Sequence, residues 1–207
     1  MPGRGGSGAG IVFLIDQQTR SETPMPHTLH IAILGHSGAG KSTLARWLAR
    51  RLGNDGDPLP HLDLDTIAWL PGQIAVARPA DEAAALVRAW CAAHPRGILE
   101  GCYGSLVRVA ISAGAHLIWL DPDLEQCLAH CRARPFEPHK YPTAEDQHAL
   151  LPMLLDWVQS YPTREGELGR ADHQRCFDEC ERPKIRLREV VALDGGTHML
   201  EQWLAGQ

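Results

Sequence analysis

The sequence predicts an α/β fold of three layers, in which a central parallel sheet carries helices on both faces. Short apolar runs alternate with longer segments of helical periodicity, which is the pattern of strands joined by crossover helices. Right-handed crossovers would make the strands parallel. Of the 207 residues, 44% are hydrophobic and 22% charged, which is typical of a globular chain that can bury a sizeable core.

The first strand, the turn after it and the first helix carry the strongest motif. Residues 29–34 (LHIAIL) predict a buried strand, and residues 41–52 predict a helix with apolar residues at helical spacing. Between them, residues 35–43 read GHSGAGKST, which matches G-x-x-x-x-G-K-[ST], the Walker A phosphate loop. Glycines let successive N–H groups converge on an anion, and the helix adds its positive N-terminal end. The motif therefore predicts a nucleoside triphosphate site in a P-loop NTPase fold.

The positions of this loop have separate predicted roles. Lys41 is expected to reach the β- and γ-phosphates, and the Ser42 hydroxyl to hold Mg²⁺. His36 occupies a variable position, and we expect it to face solvent. The loop residues expected to contact the triphosphate, with Mg²⁺ as the metal cofactor, are Gly35, Ser37, Gly38, Ala39, Gly40, Lys41, Ser42 and Thr43.

The rest of the chain continues the alternation. Further strands are predicted at residues 59–64, 97–100, 116–120 and 184–193. Further helices are predicted at residues 79–94, after Asp121, from about 144 to 160, and after the turn at 194–196. Asp121 and Pro122 are expected to be the N-cap and first residue of a helix. Thr143 and Asp146 resemble a capping box, and Pro152 is expected to kink or break the helix that follows.

Composition limits the domain organisation and the class of partner. Residues 1–27 lack a usable period and are expected to form a flexible extension before one domain at 28–207. No apolar run approaches the roughly 20 residues that a membrane helix needs. The net charge of -5 argues against a nucleic-acid partner. We expect a cytoplasmic protein, either a monomer or a homodimer.

Six cysteines are present, and four of them form two pairs with a spacing of four, Cys127 with Cys131 and Cys176 with Cys180. In a cytosolic chain they are expected to be free thiols rather than disulfides. A zinc site with four thiolates remains an alternative.

Carboxylates at the ends of predicted strands are the next candidates, because ligands of parallel sheets bind beyond the carboxyl ends of the strands. Asp63 and Asp65 end the second strand and would point the same way if that strand stays regular. Asp65 is predicted to orient the group that accepts phosphate, and Asp63 or Glu100 to serve the metal. Trp69 follows in the same loop and is expected to line the acceptor pocket. The side chains of Trp47, Trp90, Trp119 and Trp157 are expected to lie in the core.

The loop at 35–43 and the segment at 61–67 (HLDLDTI) together resemble the nucleoside monophosphate kinase and shikimate kinase group of P-loop kinases. In shikimate kinases the second strand ends in Asp-x-Asp, which matches Asp63 and Asp65. The run at 62–72 (LDLDTIAWLPG) also resembles an adenylate-kinase-like subgroup known as DNA topology modulation proteins, in which one Asp precedes an apolar, aromatic and Pro-Gly segment. Both comparisons select Asp65.

Further matches to these kinases extend the resemblance over about residues 28–205. Residues 98–103 (ILEGCY) resemble their acidic-Gly segment, which implies Glu100 near the metal and Tyr103 and Arg108 near the acceptor. The resemblance also implies an acceptor lobe at about 66–97 and a mobile helical lid at about 133–175. The residues that it adds at the donor side are Arg132 and Arg134 as lid arginines and Gly195 in a turn against the adenine.

The chain also departs from both kinase families. Gly104 stands where adenylate kinases carry an arginine, and the third strand lacks the Gly-Gly-Gly of shikimate kinases. Neither a nucleoside monophosphate nor shikimate is therefore supported as acceptor. The resemblance implies ATP-dependent phosphoryl transfer to a small molecule that offers a hydroxyl or a phosphate. Two alternatives remain: a regulatory NTPase without such an acceptor, and a nucleic-acid-associated factor that uses a local basic patch.

Overall fold

The computed structural model describes residues 28–54, 56–70, 76–138, 141–189 and 198–206. The predicted extension at 1–27 lies outside the described residues. So do Gly195 and the turn at 194–197 that was expected to contact adenine. In the described part, none of the helices combines the length and the apolar character that crossing a membrane requires.

Strands and helices alternate along the described chain as the sequence predicts. The strands are β1 (Leu29–Leu34), β2 (His61–Asp63), β3 (Arg96–Gly101), β4 (His116–Leu120) and β5 (Lys184–Leu187). The helices are α1 (Lys41–Leu52), α2 (Asp65–Ala68), α3 (Ala80–Ala93), α4 (Gly104–Ser112), α5 (Leu124–Arg132), α6 (Ala144–Gln159), α7 (Arg170–Glu179) and α8 (His198–Ala205).

The five strands form one parallel sheet in the order β2-β3-β1-β4-β5. The phosphate-loop strand β1 lies at its centre, and Leu34 at its end is in register with Gly101 of β3 and Trp119 of β4. The end of β2 is also in register with β3, where Asp63 faces Glu100. All of these residues therefore lie at one edge of the sheet. The predicted three-layer α/β fold is confirmed.

Each face of the sheet carries its own core. Ile31 and Ile33 of β1 pack against α1, α5 and α8 on one face, in what we call the α1-side cluster. Ala32 and Leu34 face the other way, toward α3, α4 and α7, in the α3-side cluster. All five residues of β4 are buried. Full burial of one such aliphatic side chain is worth about 1.5–3 kcal/mol, so the two clusters hold the sheet between its helical layers.

The structure corrects four expectations about local structure. β2 is shorter than predicted and ends at Asp63. β5 ends at Leu187, and residues 190–193 lie outside the described residues. Helix α6 continues through Pro152, so of the predicted kink or break the break does not occur. The cap of this helix is as predicted, because the Thr143 hydroxyl accepts the Asp146 N–H at 3.1 Å. Trp157 is 39% exposed rather than in the core.

Asp121 is not the N-cap of a helix, because α5 begins three residues later at Leu124. Its backbone N–H donates to the Leu187 carbonyl at 2.8 Å, which extends the pairing of β4 with β5. Its buried carboxylate accepts hydrogen bonds from the guanidinium groups of Arg170 and Arg186. Strand pairing and an ion pair therefore replace the predicted cap.

Three helices were missed by the sequence analysis, namely α2, α4 and α7. Helix α7 (RADHQRCFDE) is strongly polar, yet it buries Asp172, His173 and Cys176. It packs against α4 and β4. This helix is stabilised by tertiary contacts that pair its polar residues, and its sequence lacks the amphipathic pattern that would have predicted it.

Candidate functional site

The phosphate loop has the backbone conformation that an anion site needs. Gly38 and Gly40 adopt φ of 81° and 90°, in the left-handed region that only glycine occupies freely. Helix α1 begins directly after Gly40, and neither a side-chain cap nor an acidic residue occupies its first turn. The Lys41 ammonium donates to the His36 carbonyl within the loop at 3.2 Å. The loop thus presents a helix N-terminus and an ammonium group together.

Helix α5 packs against the phosphate loop at Gly38. A Cβ on Gly38 would lie 2.3 Å from the carbonyl oxygen of Cys127, so the backbones approach too closely for any side chain. The His130 Nδ1–H donates to the Gly38 carbonyl at 2.8 Å, because a carbonyl can only accept. The conformation of the loop is therefore set partly by α5.

Ser42 and Glu100, both predicted for the metal, lie in direct contact. The Ser42 hydroxyl donates to Glu100 Oε1 at 2.6 Å, and Glu100 is only 2% exposed. The end of β3 joins the two sides of the site, since the Gly35 N–H donates to the Gly101 carbonyl and the Leu64 N–H to the Glu100 carbonyl. The phosphate loop and the end of β2 are thus both hydrogen-bonded to β3.

The end of β2 does not continue as a regular strand, so Asp63 and Asp65 do not have equivalent positions. The chain turns after Asp63 and begins the single-turn helix α2 at Asp65. The Asp63 carboxylate accepts the Asp65 N–H at 2.9 Å, which is the local hydrogen bond of an Asx turn. Asp63 therefore has a structural role in shaping the segment that carries Asp65.

A chain of two hydrogen bonds connects three residues that were predicted for the acceptor side. The Trp69 indole N–H donates to the Tyr103 hydroxyl at 2.8 Å, and that hydroxyl donates to Asp65 Oδ1 at 2.8 Å. The direction is fixed, because an indole N–H can only donate. Burial and the neighbouring Asp65 charge raise the pKa of Tyr103 well above its usual value, so the phenol keeps its proton. We call Asp65, Trp69 and Tyr103 the acceptor wall, after the role that the sequence predicts for them.

The three predicted arginines have different surroundings. Arg108 pairs with Asp172 at 2.9 Å, and the pair covers Gly104, where a Cβ would lie 2.3 Å from Asp172 Oδ2. A side chain at Gly104 would therefore displace the Asp172 carboxylate from its present position. Arg134 pairs with Glu137 at 3.2 Å, and Arg132 is exposed at the end of α5.

The expectation that His36 faces solvent is wrong. Its ring is 2% exposed and stacks on Tyr161, with centroids 4.0 Å apart and an interplanar angle of 16°. Burial, and next the charge of Lys41, lower the pKa of His36 to about 3. The imidazole is therefore neutral at pH 7.

Tyr161 connects His36 to a second buried histidine. Its hydroxyl lies 2.9 Å from His173 Nδ1, and His173 Nε2 lies 2.8 Å from the Cys102 carbonyl. The carbonyl requires a proton on Nε2, so Nδ1 accepts from the tyrosine. Burial lowers the pKa of His173 to about 4. Residues of the predicted lid thereby connect the phosphate loop to the end of β3. Neither Tyr161 nor His173 matches a sequence motif, so sequence reasoning missed this connection.

A cleft of about 250 Å³ opens beside His36 on the side of β4 and β5. Its lining includes Asp121, Tyr161, Arg170 and Arg188. The phosphate loop on β1 therefore lies between this cleft and the acceptor wall beyond β3.

The cysteines do not form a metal site in the described chain. Cys127 and Cys131 lie in the α1-side cluster, whereas Cys176 and Cys180 lie in the α3-side cluster, so the sheet separates the pairs. All four are free and buried, and burial raises the pKa of Cys127 to about 12. No group of three or more Cys, His, Asp and Glu side chains is arranged for a metal among the residues with described positions.

Comparisons with known proteins support the fold. No family model matches the chain, and no curated protein matches it. The chain is similar to an unliganded sugar kinase from Janibacter sp. HTCC2649, with a TM-score of 0.54 and 16% identity over 86% of this chain and 95% of the other. It is also similar to the shikimate kinase from Bacteroides thetaiotaomicron, with a TM-score of 0.51 and 14% identity over 86% and 98% of the two chains. At these identities the likeness shows the fold alone, a five-stranded parallel sheet flanked by helices as in these two kinases.

Proposed function

We propose that this protein is an ATP-dependent kinase that transfers the γ-phosphoryl group to a small-molecule acceptor. The observation that carries the proposal is the hydrogen bond from Ser42 to the buried Glu100 of β3. Ser42 directly follows Lys41 in the loop motif. Phosphoryl transfer needs a metal site, a cation on the phosphates and a group that orients the nucleophile, all within one pocket.

The residues at the loop fit Mg²⁺ and a triphosphate. The Ser42 hydroxyl and the Glu100 carboxylate are oxygen donors, and Mg²⁺ usually takes one or two protein oxygens and completes its shell with water and phosphate. When bound, the metal would neutralise charge on the phosphate oxygens. Lys41 would leave the His36 carbonyl and donate to the β- and γ-phosphates. The loop residues from Gly35 to Thr43 would bind the phosphates through their N–H groups.

Asp65 is the residue that we propose to orient the accepting group. It follows β2, which lies two strands from β1 in the sheet order, roughly 10 Å away at about 4.8 Å per strand. Tyr103 holds its carboxylate, which favours one orientation for accepting a proton. Arg132 and Arg134 would approach the transferring group only after the Arg134–Glu137 pair breaks. Such a change is typical of a lid that closes over its substrate.

The variant Lys41→Ala tests this mechanism, with Arg46→Ala as the matched control, because Arg46 is exposed on the same helix. We expect Lys41→Ala to lose at least 100-fold in transfer of labelled γ-phosphate into pooled small molecules, since one preorganised charge typically contributes about that much. Arg46→Ala should keep wild-type transfer. Wild-type transfer by Lys41→Ala would refute the mechanism. ATP hydrolysis that no acceptor stimulates would favour the regulatory NTPase instead.

A further inference from the structure

The acceptor wall combines a fixed aromatic ring with an oriented carboxylate. Trp69 is 37% exposed, although its indole N–H is bonded to Tyr103. Two backbone hydrogen bonds, from Leu70 N–H to the Val76 carbonyl and from Arg78 N–H to the Ala68 carbonyl, hold the chain on both sides of it. A large ring that is exposed yet held at both its backbone and its edge is preorganised for a ligand.

The described charges around this wall are mostly negative. Asp63, Asp65 and the buried Glu100 stand at the ends of β2 and β3. Lys41 belongs to the phosphate loop, and His61 lies 3.8 Å from Glu100. An anionic acceptor would therefore face carboxylates as it approached Asp65, and like charges disfavour such a complex.

Two arginines that lie close to this wall in the sequence, Arg78 and Arg108, are already bonded. Arg108 pairs with Asp172 at 2.9 Å and lies 3.7 Å from Glu179. Arg78 donates to the carbonyls of Ile67 and Trp69, at the end of helix α2. Residues 71–75, outside the described part, read PGQIA and contain no charged side chain. Phosphate and carboxylate groups are usually bound by the paired N–H groups of an arginine. In the described structure, neither Arg78 nor Arg108 has a guanidinium group without a protein partner.

We infer that the acceptor is an uncharged polyhydroxylated compound, such as a monosaccharide or cyclitol, whose ring lies against Trp69. This inference rests on the proposed function. An apolar ring face would cover the indole, while one hydroxyl donates to the Asp65 carboxylate. In the transfer, that hydroxyl oxygen forms a bond to the γ-phosphorus, the bond from phosphorus to the bridging oxygen of ATP breaks, and the hydroxyl proton passes to Asp65.

The test compares matched acceptors on the same carbon skeleton in a γ-phosphate transfer assay. The probes are glucose, glucosamine, gluconate and glucose 6-phosphate, together with myo-inositol and its monophosphate. We expect transfer to a neutral compound to exceed transfer to its anionic counterpart at least tenfold in kcat/KM. Preference for the anionic or amine compounds would overturn the inference and leave the kinase proposal standing. No transfer to any of these compounds, with ATP and Mg²⁺ still bound in calorimetry, would overturn the inference, while transfer into the pooled small molecules decides the kinase proposal separately.

A pair of tryptophan variants tests the position of the acceptor. Trp157 is 39% exposed, close to the 37% of Trp69, but it lies on α6 under the guanidinium of Arg164. We expect Trp69→Leu to raise KM for the neutral acceptor roughly tenfold with a smaller change in kcat. Trp157→Leu should leave KM unchanged. Equal KM values in wild type and Trp69→Leu would overturn the stacking arrangement, whereas a loss of ATP binding by Trp69→Leu would indicate general damage and also count against it.

Discussion

The buried pair of neutral histidines predicts a steep loss of stability in mild acid. Burial lowers the pKa of His36 to about 3 and that of His173 to about 4, from a usual value of 6.5. Above pH 6.5 both histidines are neutral in the folded and the unfolded chain, so they add no pH dependence. Below pH 6.5 the histidines are protonated in the unfolded chain but remain neutral in the folded chain. The free energy of unfolding therefore falls with falling pH until the pH reaches the pKa values of the folded chain.

The size of the effect follows from the width of that window. Each histidine costs about a factor of ten in the folding equilibrium constant per pH unit. Between pH 6.5 and about 4.5, the two together cost roughly four factors of ten, or about 5 kcal/mol. That is comparable with the whole stability of many domains, typically about 5–15 kcal/mol. Their charges also repel, so protonating one does not ease protonation of the other. The depressed pKa of Asp172 acts only below about 4, outside this window.

Urea unfolding from about pH 7 to pH 4.5 measures this slope. The variant His36→Phe keeps a ring on Tyr161, and the buried Nδ1 of His36 has no hydrogen-bond partner in the described structure that the variant would lose. We expect this variant to remove somewhat less than half of the loss in unfolding free energy, because burial also lowers the pKa of His116. His148→Phe, at an exposed position on α6, is the control and should keep the wild-type slope. If His36→Phe and the wild type show equal slopes, the imidazole of His36 is not buried and neutral as described.

Two further substitutions probe contacts around the site. Gly38→Ala would place a Cβ 2.3 Å from the Cys127 carbonyl at a residue with a left-handed φ of 81°. We therefore expect the free energy of unfolding to fall by at least about 3 kcal/mol, measured by thermal unfolding, together with weaker ATP binding. An unchanged melting temperature would contradict this. Asp121→Ala leaves two arginines without their shared carboxylate; we expect about 3 kcal/mol of destabilisation by urea unfolding, and a loss under about 1 kcal/mol would show that water replaces the carboxylate.

The sequence predicted the elements whose signals are local. The bounds of β1, α1 and β4 agree with the structure, because a short buried strand and an amphipathic helix each leave a periodic pattern. The cap at Thr143 was also predicted, since a capping side chain bonds within its own turn. Helix α7 was missed because its polar residues are satisfied by partners distant in the chain, such as Arg108 for Asp172.

Part of the candidate site was predictable for the same reason. The Walker A spacing alone selected Lys41 and Ser42, and strand ends selected Asp65 and Glu100 as neighbours at one edge of the sheet. The contact of Ser42 with Glu100 agrees with that selection, while the roles of these residues in catalysis remain predictions. The interpretation of His36 failed, because solvent exposure at a variable loop position depends on what packs over it.

The sequence by itself determined the layered α/β architecture and carried the Walker A motif, because both are properties of adjacent residues. Only the tertiary structure decided which side chains stand against that loop. The ring of Tyr161 stacks on His36, and Arg170 and Arg186 donate hydrogen bonds to Asp121. The Tyr103 hydroxyl donates a hydrogen bond to Asp65. Each of these contacts joins residues separated by dozens of positions, and a hydrogen bond or a stacked ring forms wherever packing brings two groups within about 4 Å. The periodicity of the sequence does not predict which distant residues come into contact.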